Sequence, residues 1–151
     1  MATQLRFATD DDVLAFEPGI EDWFPRHNKK TGATIRSWDV QHQLAMNEID
    51  RRLRNHKSTI DVFEVGRIGF RSRENLREAA ACFALHHMFV ACDTLSNEPQ
   101  SFFSRKAAHY WERANSIFAA EVLNLDYDSD RDGTVQKNEE QQSFVARVIR
   151  G

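Results

Sequence analysis

The sequence predicts a mostly α protein, a helical bundle of about four helices, and three observations carry that expectation. Chain breakers are scarce: three Pro and six Gly in 151 residues. Apolar residues recur at helical spacing through two long stretches that only one short Ser-Asn-Glu-Pro break separates. Thr or Ser stands ahead of the periodic stretches, where a side-chain oxygen takes up an unpaired backbone N–H.

The first helix opens at Thr9, with Asp10, Asp11 and Asp12 at the positive end of the helix dipole. Val13, Leu14 and Phe16 supply its apolar side, and Pro18-Gly19 stops it. Arg26 to Arg36 is polar and basic, holds His27, Lys29, Lys30 and Gly32, and reads as a surface loop. Ser37 is the expected cap of a second helix whose apolar face is Trp38, Val40, Leu44, Met46, Ile49 and Leu53. Arg51, Arg52, Arg54 and Lys57 gather at its C-terminal end, where cations suit the dipole. Residues 59–70 read as an extended loop or a short hairpin, from Ile60, Val62, Phe63, Val65 and Ile68 with Gly66 and Gly69.

Ser72 is the expected cap of a third helix that runs to about Leu95. Leu76, Ala79, Ala80, Phe83, Ala84, His87, Met88, Val90, Ala91 and Leu95 cover much of its circumference, so it belongs at the centre. After Ser96-Asn-Glu-Pro99 the fourth helix spans about Gln100 to Asn124, with Phe103, Ala107, Tyr110, Ala114, Ile117, Phe118, Val122 and Leu125 as its stripe. The short link predicts an antiparallel hairpin.

The length fits one domain, divided here into a bundle over residues 1–125 and a turn with a C-terminal arm over 126–151. A net charge of −3 gives no bulk attraction to nucleic acid or anionic membranes. No apolar run reaches the roughly 18–20 residues that cross a bilayer, so no membrane partner is expected. Met1-Ala-Thr-Gln-Leu-Arg lacks a secretory apolar stretch, which points to a cytosol-like compartment. Cys82 and Cys92 lie on one predicted helix about 15 Å apart, beyond disulfide reach of about 7 Å, and read as buried thiols.

Asp128-Ser-Asp130-Arg-Asp132-Gly133-Thr134-Val135-Gln136-Lys137-Asn138-Glu139 matches a twelve-residue Ca²⁺ loop. Ca²⁺ is a hard cation that takes six to eight oxygens at about 2.3–2.6 Å. Asp128, Asp130 and Asp132 offer side-chain oxygens from alternate positions, Thr134 its backbone carbonyl, Gln136 a direct or water-borne contact, and Glu139 both carboxylate oxygens. Gly133 fits the sharp turn and Val135 packs beneath the ion. The competing reading is an acidic turn without an ion, which leaves three crowded carboxylates to repel one another. Glu140, Ser143 and Arg147 fall where the exit helix of an EF-hand is apolar, and only Phe144 fits. The expectation is an EF-hand-like loop with a structural Ca²⁺, leading into an arm. The tail, Ser143 to Gly151, is readable as helix or strand, with β-branched content favouring a strand.

Cys82, His86, His87 and His109 carry no metal-ligand spacing and read as core packing. The Arg51–Lys57 cluster and Arg71, Arg73 and Arg77 read first as solvated charges and second as phosphate contacts. No nucleophile elbow, phosphate-cradling glycine loop or paired catalytic carboxylates occur, so the chain is not expected to be an enzyme.

The order of elements resembles a known family. Phe7-Ala-Thr-Asp-Asp-Asp-Val-Leu opens a short helix, Glu48-Ile-Asp-Arg-Arg-Leu lies in a second, and Ala79 to Leu95 and Lys106 to Leu125 form two long ones before a short arm. This is similar to the head–tail adaptor (connector, or head completion) proteins of tailed bacteriophages. Leu125-Asp-Tyr-Asp-Ser-Asp-Arg-Asp-Gly-Thr likewise resembles a turn after the last long helix of some phage neck proteins. The resemblance implies a virion protein at the head–tail interface, assembled in the host cytoplasm. It implies a closed head-to-tail ring of about twelve copies. The portal, and tail or neck proteins, are the implied neighbours, with DNA passing through the channel and touched only through its phosphates. Trp23, Phe24 and Trp38 are the aromatic candidates for the ring surface, with core as their other reading. The alternative is a cellular EF-hand-like Ca²⁺-binding module that recognises a protein partner.

Overall fold

A computed structural model describes residues 6–56, 68–94, 101–122 and 125–126. Five helices follow in order: α1 (Asp10–Phe16), α2 (Ile20–Trp23), α3 (Asp39–His56), α4 (Phe70–Thr94) and α5 (Phe102–Val122). Helix makes up 73% of these residues, about twice the ordinary share, which places the chain in the mostly α class.

α1 begins as expected. The Thr9 hydroxyl accepts from the Asp12 N–H, and the Asp12 carboxylate accepts from the Thr9 N–H, a closed capping box. Pro18-Gly19 ends that helix but starts another. α2 is a single turn, too short to show periodicity, and its Ile20 is fully buried.

The apolar face expected of α3 is corrected in part. Trp38, Met46, Ile49 and Leu53 are buried, but Val40 is 63% and Leu44 42% exposed. The buried line is His42, Ala45, Met46, Ile49 and Leu53, at i, i+3, i+4, i+7 and i+11. Val40 and Leu44 fall off that line, and a histidine sits on it. Ser37 contributes by accepting the Asp39 N–H at 3.1 Å.

α4 and α5 are the expected antiparallel hairpin. Partners along α4 meet residues that run backwards along α5 to its cap: Asn75 with Glu121, Phe83 with Trp111, His86 with Ala107, Asp93 with Ser101. Ser101 caps α5, its hydroxyl accepting the Ser104 N–H at 3.2 Å while donating to the Asp93 carboxylate. α4 packs against α5, α3 and α1, and its run from Ala79 to Leu85 is buried without interruption. A helix buried on most sides needs small residues where neighbours approach, and Ala79, Ala80, Ala81 and Ala84 supply them. Trp38, Phe83, Phe89, Ile49, Leu53, Leu76 and Leu85 fill the space between the helices.

α4 starts at Phe70, two residues before the expected cap. Ser72 is therefore inside the helix, fully buried, with its hydroxyl engaged elsewhere. Of the segment 59–70 read as a loop or hairpin, only its last residues are described, and the C-terminal arm lies outside the described residues.

Candidate functional site

The residues predicted to hold Ca²⁺, Asp128, Asp130, Asp132, Thr134, Gln136 and Glu139, lie outside the described residues. The point where the chain is delivered to them is described, and it is built with care. Leu125 is fully buried, and Asp126 is only 7% exposed. A buried carboxylate needs partners that replace its lost hydration, and the N-terminal turn of α4 provides them. Arg71 grips Asp126 with two parallel bonds, Nε to Oδ2 at 2.9 Å and Nη2 to Oδ1 at 3.0 Å. The Asp126 N–H donates to Ser72 Oγ at 2.8 Å, and its carbonyl accepts the Gly69 N–H at 2.8 Å. Side chain, donor and acceptor of one residue are thus all fixed by three consecutive-turn positions.

The same arginine faces a second buried acid. Arg71 Nη1 stands 3.6 Å from Glu121 Oε1, and Glu121 Oε2 accepts from Asn75 Nδ2 at 2.8 Å. A groove lined by Asn75, Glu78, Ile117, Ala120 and Glu121 opens beside this clamp. One guanidinium therefore holds the C-terminal turn of α5 and the residue beyond it against the start of α4. Nothing local in the sequence announces the contact, because 55 residues separate Arg71 from Asp126. Ser72 was legible as a polar residue at a helix start; its use as an acceptor for a distant backbone was not.

Of the basic clusters predicted on α3 and α4, the described arginines are engaged, while Lys57 lies outside the described residues. Arg52 donates to Glu48 at 2.6 Å and to Asn115, and lies over the rings of Phe83 and Trp111, each at 4.9 Å. Burial works against the Glu48 anion, but bonds from Arg52 and Arg51 hold its carboxyl below the usual range. Arg54 pairs with Asp50, and Arg77 with Asp12 and Glu74. Arg73 Nε donates to the Ile68 carbonyl at 3.0 Å.

His86 Nδ1 bonds the Ala107 carbonyl at 2.9 Å, which ties it to hairpin packing. His87 Nε2 is buried without a hydrogen-bond partner among the described residues. Burial first, then the adjacent His86, lowers its affinity for a proton. Cys82 and Cys92 are both buried free thiols, and burial pushes Cys82 up to about 11. Among the described residues no group of three or more His, Cys, Asp or Glu is arranged to hold a metal ion.

Two clusters were missed by sequence reasoning. His42, 2% exposed, bonds Asp10 Oδ1 through Nε2 at 2.7 Å, and Asp10 Oδ2 accepts from Arg26 at 2.8 Å. Arg26 also binds Glu21 and lies 4.3 Å over the Trp38 ring. Glu17 accepts from Lys106 at 2.9 Å and from the Tyr110 hydroxyl at 2.6 Å. The i+3 and i+7 spacing of His42 to Ala45 and Ile49 was the signal available for the first.

Trp38 and Phe24 are core, leaving Trp23, 38% exposed, as the one partly open member of the three aromatic candidates. No family model, curated protein or solved structure matches the chain. Among the described residues no helix is long and apolar enough to cross a membrane.

Proposed function

We propose that this chain is a virion structural protein, a head-to-tail adaptor that closes into a ring between portal and tail or neck proteins. The acidic loop Asp128–Glu139 serves in it as a structural Ca²⁺ site, and the chain performs no catalysis. The observation that supports this reading is the clamp on Asp126. An antiparallel hairpin delivers the chain at one fixed point, two residues ahead of the loop, with its direction set by Arg71, Ser72 and Gly69. A ring protein needs rigid walls and an extension launched from a defined place. The donor set of the loop is all oxygen and strongly anionic, which fits a hard divalent cation.

Asp128, Asp130, Asp132 and Glu139 would supply the carboxylates, with Thr134 and Gln136 completing the set. The bound ion neutralises charges that otherwise repel, so its effect on folding follows mass action. Asp128→Ala and Glu139→Ala are expected to lower the melting temperature in millimolar Ca²⁺ and to leave it nearly unchanged in chelator. Equal losses in both conditions would show that the carboxylates hold the turn without an ion. For the assembly, native mass measurement across a concentration series, with electron micrographs of the same samples, is expected to reveal closed species of many copies. A chain that stays monomeric throughout and exposes dye-binding apolar surface on adding Ca²⁺ would instead identify a cellular Ca²⁺-binding interaction module.

A further inference from the structure

The groove between α4 and α5, lined by Asn75, Glu78, Ile117, Ala120 and Glu121, encloses about 290 Å³, a size that suits one or two side chains better than a cofactor. Its walls are acidic and apolar. Glu121 is only 7% exposed, and its Oε1 is buried with no hydrogen-bond partner among the described residues. Arg71 Nη1 stands 3.6 Å away, outside hydrogen-bond reach, and the fork of that arginine is spent on Asp126. Glu78 is exposed and pairs with no cation among the described residues; Arg77 beside it turns to Asp12 and Glu74. Asn75 Nδ2 is committed to Glu121 Oε2 at 2.8 Å, which leaves Asn75 Oδ1 as a further acceptor. Arg113, one turn before Ile117, lies over the Phe16 ring at 4.7 Å and does not line the groove.

A buried carboxylate oxygen without a donor is costly, so the groove is suited to a ligand that brings donors with it. Glu121 Oε1, the Glu78 carboxylate and Asn75 Oδ1 together match a guanidinium, which presents five N–H groups in one plane. Ile117 and Ala120 offer the apolar wall that the aliphatic stem of such a side chain covers. A divalent metal ion fits less well, because no group of three or more His, Cys, Asp or Glu among the described residues is arranged to hold one.

A segment of that chemistry belongs to the same chain. Residues 141–151 contain no acid and carry Arg147 and Arg150 among apolar neighbours. In an extended arm Val145, Arg147 and Ile149 share one face, apolar on either side of the cation. Asp126, from which the chain leaves the bundle, is held by Arg71, one helical turn from Asn75. The chain from Asp126 to Arg147 can span up to about 70 Å, so the groove is well within its reach. We propose that the C-terminal arm docks in cis on the α4–α5 groove, with Arg147 between Glu121 and Glu78 and with Val145 and Ile149 against Ile117 and Ala120. Tethering holds the arm at an effective concentration in the millimolar range, so a contact of modest affinity stays filled. The docking concerns one chain and requires neither a ring nor a bound ion, so its failure and theirs are separate results.

The test is disulfide trapping in the full chain at low micromolar concentration. Ala120→Cys with Ile149→Cys is compared with Ala119→Cys with Ile149→Cys. Ala119 is exposed and as near the exit as Ala120, but the helical step turns it out of the groove by about 100°. Cys82 and Cys92 are buried, so the introduced pair reacts first. The Ala120 pair is expected to close about tenfold faster than the Ala119 pair, at a rate that does not change with protein concentration. Glu78→Arg added to the Ala120 pair is expected to slow closure several-fold, and Arg147→Glu added to that variant to restore it. Equal rates for the two pairs, or no response to Glu78→Arg, would overturn the proposal. A rate that rises in proportion to protein concentration would assign the arm to another copy and overturn docking in cis. Circular dichroism of each variant confirms that the helices are intact.

Discussion

The two ends of the α4–α5 hairpin are held by opposite chemistry. Where α4 ends and α5 begins, the contact is aromatic: Phe89 stacks on Tyr110 at 5.9 Å and on Phe103 at 6.4 Å, with Trp23 and Phe102 closing over them. Where α4 begins and α5 ends, the contact is ionic: Arg71 binds Asp126 and faces Glu121, with Ser72 and Asn75 completing the set. Aromatic packing is strong in total and loose in direction, so rings can slide and remain in contact. Bidentate hydrogen bonds are weaker in net free energy but fix position and angle. One end supplies most of the adhesion. The other sets where the chain leaves the bundle.

The largest expected effect follows from the first half of that contrast. Phe89 is fully buried and touches rings from α2 and α5. Phe89→Ala is expected to cost about 3–5 kcal/mol in denaturant unfolding, through lost transfer energy plus the cavity left behind. Phe102, 41% exposed in the same cluster, is expected to cost no more than about 1 kcal/mol when cut to Ala. A similar loss at both positions would mean that the rings act as a surface cover and not as the glue of the hairpin.

The ionic end is expected to be cheaper to break and more specific in its consequences. Arg71→Ala removes the fork that grips Asp126 and the cation that faces Glu121, at about 1–3 kcal/mol, with the lower part of that range favoured because the arginine itself is 43% exposed. Arg71→Lys keeps a charge but loses the fork that grips both oxygens of Asp126. Both variants are expected to move the exit of the chain more than they destabilise the bundle. The check is amide exchange: Gly69 and Asp126 should lose protection while the centre of α4 keeps it. Equal loss of protection along all of α4 would make the clamp an ordinary stability contact.

The same contrast sorts what was legible in the sequence. The Thr9 cap of α1, the central burial of α4 and the antiparallel hairpin all follow from local spacing, and all are present. Apolar periodicity was readable because burial of rings and aliphatic chains repeats every turn. It misled at Val40 and Leu44, where apolar type was taken for burial although the 100° step per residue turns both away from Ile49 and Leu53. α2 escaped because one turn has no period. The directional contacts were the hardest to see. Ser72 looked like a cap and serves instead as an acceptor for Asp126, and His42 on a core line is satisfied by Asp10. Such pairs join positions 32 to 55 residues apart and leave no trace in local pattern. Arg26–Arg36 read as a plain surface loop because composition reports charge and polarity, not the backbone bonds that Asn28 and Gly32 permit. Of the candidate site, the acidic loop is a donor pattern of the sequence that lies outside the described residues, whereas the clamp that precedes it needed the fold.

The two cysteines offer the finest probe of the contrast, because each reports a different depth of the hairpin. Cys82 is fully buried in the middle of α4, whereas Cys92 lies near its aromatic end with its thiol 3.5 Å from the Trp23 carbonyl. Burial raises both thiols, Cys82 to about 11, so near pH 8 only roughly one Cys82 in a thousand is the reactive thiolate even before access is considered. Native labelling by iodoacetamide should therefore be slow at both, with Cys92 reacting through local opening of the aromatic end and Cys82 only through global unfolding. Phe102→Ala should speed Cys92 several-fold and leave Cys82 unchanged, while Arg71→Ala should leave the Cys92 rate alone. If the arginine variant accelerates Cys92 as much as the phenylalanine variant does, the hairpin opens as one unit, and the division of labour between its ends is a matter of chemistry without independent motion.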